Sequence, residues 1–222
     1  MAKTKIVIMG VHGLGDHRRS SWRSVWEQAV RSAFPAGEDL ELDFRFITYD
    51  PLFEKTQITG WDTAKAVWKL TRSAVTSSFR QEKGVLDNLS DAVRWTAGYV
   101  VAWVENEAFQ KASRKLVLEA LAEHRPDVLL GHSLGSLITY DAITHDDARA
   151  APVQAVLGKL RYVTLGSQIG NPFVVRNLTP GRIVVPPVRH WFHLYNQEDD
   201  VFTAPIRIRN RGRYSQIYTP FV

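Results

Sequence analysis

The chain has 222 residues, the size of one ordinary domain, and 45% of them are hydrophobic, enough to bury a core without covalent staples. It contains no cysteine, which excludes disulfides, cysteine metal sites and a thiol nucleophile, and fits a reducing compartment. The net charge of +5 is modest and its basic residues are mostly scattered, so no nucleic-acid partner is expected.

The run "KIVIMGVHG", Lys5 to Gly13, is short, apolar and β-branched. It predicts a first strand rather than a signal peptide. In "SSWRSVWEQAVRSAF", Trp22, Val25, Trp26, Ala29, Val30, Ala33 and Phe34 recur at helical spacing on one face, and Ser20 or Ser21 can cap the helix. "LDFRFITYD" predicts a second strand, closed by Pro51.

Residues 52 to about 104 break the alternation. They predict one or two extra helices, around 61–79 and 86–104. In the second, Val93, Ala97, Val100, Val101 and Val104 form one stripe, and Trp95, Tyr99 and Trp103 another. A helix apolar on two faces is buried or covers something apolar. Packing against the sheet and a lid over a pocket both fit. The longest uncharged run, "TAGYVVAWV", falls far short of the ~20 residues that a membrane span needs. A soluble and, most simply, cytoplasmic protein is expected.

Residues 105–124 predict an amphipathic helix stopped by Pro126. "DVLLGHS" follows as a strand and "LGSLITYDAITHD" as a helix. "KLRYVTLGS", "VRHWFHLYN" and "YSQIYTPFV" read as three further strands. Strands alternating with helices predict a mostly parallel α/β sheet in a single domain spanning 1–222. In "IRIRNRGRY", Arg207, Arg209, Arg211 and Arg213 alternate, so an extended segment would place them on one face. That suits a solvated or protected strand edge, or a peripheral contact with anionic lipid or nucleic acid.

The stretch "GHSLG", Gly131-His132-Ser133-Leu134-Gly135, matches G-x-S-x-G. A chain this long gives roughly 0.05–0.1 chance matches, and here a buried-type strand precedes the match and a helix follows it. A tight strand-to-helix turn strains the serine backbone and leaves no room for side chains two positions away. It projects the hydroxyl beyond the sheet, beside the free N–H groups of the helix N-terminus. That is a nucleophile elbow. The developing oxyanion of an attacked carbonyl needs two donors. The Leu134 N–H can give one. The glycine-rich "HGLGDH", His12 to His17, can give the other through Leu14, or alternatively Gly13. The same stretch is no dinucleotide fingerprint, because Arg18 stands where its third glycine is required, and no Walker sequence is present.

Taken in this order, "HGLGDH", "GHSLGS", "TLGSQIG" and "YNQEDDVF" resemble the α/β-hydrolase superfamily, most closely its bacterial serine esterase and lipase-like members. The likeness covers the chain except 52–104, where such proteins carry variable helical caps. It implies a mostly parallel central sheet with helices on both faces, an oxyanion hole and Ser-His-Asp acyl transfer. It also implies an acid in the turn after "WFHLYN", which selects Asp199, with Asp200 in reserve; otherwise "QEDD" is a solvated acidic turn.

A serine hydroxyl needs a base, and in this family a histidine follows the last strand. No histidine follows Asp200. The sequence stops where that loop should begin, so it is expected to be a C-terminally shortened form of a longer hydrolase, with the base beyond Val222. Otherwise the base comes from another chain, from His17, or not at all. His12 is expected to shape the oxyanion loop. His132 should point away from the nucleophile along its strand. His190 and His193 should lie on opposite faces of theirs, and His124 and His145 should cap helix ends. No metal spacing occurs among them and no cofactor is expected.

The expected activity is hydrolysis of a small-molecule or lipid carboxylic ester, with acyltransferase, thioesterase or peptidase chemistry available to the same serine. A binding module that kept the fold is the alternative.

Overall fold

Strands β1 (Thr4–Val11), β2 (Leu40–Ile47), β3 (Val128–His132), β4 (Arg161–Leu165), β5 (His190–Tyr195) and β6 (Tyr214–Tyr218) form one sheet in the order β2-β1-β3-β4-β5-β6. Every neighbouring pair is parallel. The structure is a computed structural model and describes residues 4–13, 21–34, 39–53, 100–178, 181–196, 204–208 and 212–219. Each strand overlaps a segment whose apolar pattern predicts one, β1 and β2 starting one and two residues before theirs, and the chain belongs to the α/β class.

The strand order positions the site. After β2 the chain returns across β1 and adds β3 on its other side. The order reverses at β1 and β3, and the crevice at their carboxyl ends is where open α/β sheets bind ligands. Gly10 lets the aromatic layer approach the carboxyl end of β1, since a Cβ there would come within 2.8 Å of the Phe46 ring.

The helices are α1 (Trp22–Ser32), α2 (Asp50–Phe53), α3 (Glu107–His124), α4 (Leu134–Thr144), α5 (Ala151–Leu157) and α6 (Pro172–Asn177), with a 3-10 turn at Asp146–Arg149. The apolar face expected of α1 is narrower than its spacing suggests. Trp22 is buried and Trp26 half-buried, whereas Val25 is 56% exposed and Phe34 37% exposed. The inward contact runs through Trp22 and Trp26 to Phe46, with ring centroids 4.9 and 6.4 Å apart. Ser21 stands at the N-cap position, but its side chain makes no capping hydrogen bond. Pro51 lies within α2, one turn beyond the end of β2 at Ile47.

Helix α3 begins where the Asn106 side chain accepts from the Phe109 N–H at 3.0 Å, and ends at Arg125, with φ 45°. Helix α4 is buried at every position from Leu134 to Ile143. It has no solvent face because it lies between the sheet and α3. Buried Arg114 of α3 ties it down, with Nη1 3.2 Å from Asp141 and Nε 3.3 Å from Asp147.

Helical residues 100–104 enter the same core. Val100, Val101, Trp103 and Val104 are all buried, and the Trp103 indole N–H donates to Ser113 Oγ at 3.0 Å. Both apolar stripes of that expected helix therefore end in the core. Residues 54–99, with the rest of the expected cap or lid, lie outside the described residues. No helix among the described residues is long and apolar enough to cross a membrane.

Candidate nucleophile site

Ser133 is the only residue between β3 and α4, and its backbone has φ 51° and ψ −123°. Such a conformation costs an L-residue of order 1–3 kcal/mol and persists only where the surroundings enforce it. The Ser133 N–H donates to the Leu165 carbonyl at the end of β4 at 3.0 Å, and its carbonyl accepts the Ser136 N–H at 3.0 Å.

The two glycines of the motif are required by contact. A Cβ at Gly131 would lie 2.7 Å from Thr139 Oγ1 and 2.9 Å from the Ser136 Cα. A Cβ at Gly135 would run into the backbone carbonyls of Val11 and His12. Gly135 thus lets α4 start directly against the end of β1. The Leu134 side chain is fully buried, and no group among the described residues accepts its N–H. The Ser133 side chain is half-buried, and its hydroxyl makes no hydrogen bond with any described residue.

The loop after β1 comes to the same point. A Cβ at Gly13 would stand 2.7 Å from Ser133 Cβ and 2.8 Å from His132 Nδ1. Gly13 therefore places backbone where a side chain could not fit, beside the serine. His12 fixes that loop from behind. It is buried, its Nδ1–H donates to the Gly13 carbonyl, and its Nε2 lies 3.6 Å from Asp50. Its ring stacks on Tyr49 at 4.4 Å and meets the Trp22 edge at 4.9 Å. The Tyr49 hydroxyl donates to the His12 carbonyl at 2.7 Å. Burial, reinforced by the Asp50 carboxylate, holds the Tyr49 phenol protonated well above its ordinary range. Leu14, the first choice for the second oxyanion donor, and His17 lie outside the described residues, as do Asp199 and Asp200.

The loop after β4, "GSQIG", closes the third side. Gly166 has φ 56°, and a Cβ there would approach His132 Nε2 to 3.1 Å. The His132 ring thus sits between Gly13 and Gly166, edge-on to Trp26 at 6.1 Å. Ser167 is fully buried and shares a 2.6 Å hydrogen bond with Ser136 Oγ. Sequence reading gave neither serine a role, because their partnership spans 31 residues and leaves no local pattern.

The remaining histidines take structural places. His190 Nε2 pairs with Ser215 Oγ at 2.9 Å, while His193, on the opposite face of β5, pairs with Thr164 Oγ1 at 2.9 Å. His145 accepts from the Asp147 N–H at the start of the 3-10 turn. His124 occupies the last turn of α3, where a basic side chain complements the helix dipole. No metal-binding cluster occurs among the described residues.

The arrangement brings Ser133, Leu134 and Gly13 together, with His12 and His132 as supports. No protein-family model matches the chain, and no curated protein or solved structure shows significant similarity to it.

Proposed function

We propose that the chain is a serine hydrolase of the α/β-hydrolase fold that cleaves carboxylic esters in the manner of esterases and lipases. The observation that carries this reading is the conformation of Ser133. A non-glycine residue at φ 51° is held at the carboxyl end of a central strand, beside the first turn of α4 and the Gly13 backbone. Strain at a half-buried serine at the carboxyl end of a strand has a purpose if its hydroxyl attacks.

Ser133 Oγ adds to the ester carbonyl while its proton passes to a base. The carbonyl oxygen becomes an oxyanion, held by the Leu134 N–H and by a second N–H from the 12–15 loop, Leu14 or Gly13. Collapse expels the alcohol, which takes the proton from the base, and leaves an acyl-enzyme that water hydrolyses. Asp199, or Asp200, orients the base. The base is a histidine, either His17 or one supplied by another chain.

A second reading has one observation in its favour: no imidazole among the described residues hydrogen-bonds the Ser133 hydroxyl. A non-catalytic binding module of the same fold would need none.

Incubation with a fluorophosphonate, followed by intact mass measurement beside Ser133→Ala, separates the two. An activated serine displaces fluoride and yields one adduct that Ser133→Ala lacks. No adduct under conditions that label a control hydrolase refutes catalysis by this chain and leaves the binding module.

A further inference from the structure

Beneath the nucleophile turn lies a row of buried polar groups that the acyl-transfer scheme does not use. Ser136, in the first turn of α4, is fully buried, and its hydroxyl donates to the Ser133 carbonyl. The same oxygen shares the 2.6 Å hydrogen bond with Ser167 Oγ. Ser167 Oγ also accepts the Ile169 N–H at 3.2 Å, and the Ser167 carbonyl accepts the Ala204 N–H at 2.9 Å. Ala204 follows β5 in the chain. Its carbonyl lies 3.3 Å from His193 Nε2. A carbonyl only accepts, so Nε2 carries the proton and Nδ1 accepts from the Thr164 hydroxyl. Thr164 in turn accepts the Trp191 indole N–H at 2.9 Å.

The row is continuous from the Ser133 carbonyl to the middle of β5. It clamps segment 204–205 from two sides. A Cβ at Gly170 would also collide with the Pro205 carbonyl and stand 2.9 Å from that of Ala204. Two fully buried hydroxyls are poor choices for filling space, because a buried hydroxyl deprived of its partner costs roughly 1–3 kcal/mol. Paired as they are, they fix a distance and a direction that alanine or valine could not.

We propose that Ser136 and Ser167 are positioning residues: their bridge holds the Ser133 turn in register with the chain returning at Ala204. This rests on the serine-hydrolase reading. The bridge sets the direction of the Ser133 hydroxyl through its carbonyl and the first turn of α4. It contributes to attack rather than to capture of the substrate.

The test is fluorophosphonate labelling of the wild type, Ser136→Ala, Ser167→Ala, the double variant and Ser167→Thr, with Ser133→Ala as blank. The inactivation rate should fall roughly tenfold to a hundredfold in each single alanine variant, the scale of a misplaced reacting group. The reversible binding constant should stay within about twofold, because positioning acts on the reaction step. The double variant should be no slower than the slower single, since both remove one bridge. Ser167→Thr keeps the hydroxyl and should regain most of the rate. Wild-type rates in both alanine variants, or a double loss equal to the product of the singles, would overturn the proposal. Should Ser136→Ala fail to fold, Ser136→Cys takes its place. An intermediate rate is expected of this weaker donor, and a wild-type rate counts against the bridge.

Amide hydrogen exchange supplies a readout that needs no activity. Ser136→Ala should speed exchange at Ile169 and Ala204, which Ser136 does not touch. If the wild type takes no label, the hydrolase reading falls, and unchanged exchange at those two amides would separately sink the bridge.

Discussion

His193 offers a quantitative check on the core of β5. It is fully buried, and burial lowers its pKa from 6.5 to about 4, against a smaller opposing effect of its hydrogen bond to Ala204. The unfolded chain therefore takes up a proton as pH falls below 6.5, and the folded chain does not until about pH 4. Neutral His193 contributes its stability in full above 6.5, and that contribution is lost as pH falls through the window to about 4. The full shift is worth about 3 kcal/mol, and about 2 kcal/mol should already be gone at about pH 5. Against a typical total of about 5–15 kcal/mol this is easily measured. Urea unfolding of the wild type and His193→Gln at about pH 7 and about pH 5 isolates it, because other titrating groups cancel between the two proteins. Glutamine keeps a donor for Ala204 but does not titrate. The wild type should lose about 2 kcal/mol more than the variant over this interval. Equal losses, or a native-state imidazole titrating near 6.5 by NMR, would refute the buried neutral tautomer.

Three further outcomes follow from the same geometry. Ser133→Gly should be more stable than Ser133→Ala by about 1–2 kcal/mol in denaturant, since only glycine relaxes at φ 51°; neither should bind label. Gly135→Ala should cost more than about 2 kcal/mol by chemical denaturation, because its Cβ meets the backbone carbonyls of Val11 and His12, at and just after the end of β1. Arg114→Met should cost roughly 3–5 kcal/mol by stripping the buried Asp141 of its guanidinium, and adding Asp141→Leu should recover most of that in a double-mutant cycle.

The sheet was legible because its strands are short apolar runs bounded by turn residues. The turn at Ser133 was legible because the G-x-S-x-G spacing and the contacts of Gly131 are local, although Gly135 is required by Val11 and His12 far away in the chain. Three helices went unread, α2, α5 and α6, although the last two carried signals. Asn171 caps α6 with Pro172 in its first turn, and Pro152 opens α5 in the same way. Both helices are too short for periodicity to show. The α1 face was overread because spacing marks which residues share a side, not whether anything covers Val25. The Ser136–Ser167 bridge and the burial of His193 were not legible at all. Each depends on a partner tens of residues away.

The parallel order also governs how the molecule can be assembled. Strand β1 is made early, yet one of its two neighbours is β3, and the pairing of Val7 with Asp127 spans 120 residues. Closing so long a loop is slow, although each doubling of its length costs only about 0.6 kcal/mol at equilibrium. Until β3 arrives, the inner edge of β1, with Met9 and Val11, has nothing to pair with on that side. During synthesis this is the segment most open to wrong partners. The strained turn at Ser133 cannot take shape before that closure either, because Val11 and His12 supply the floor on which Gly135 rests.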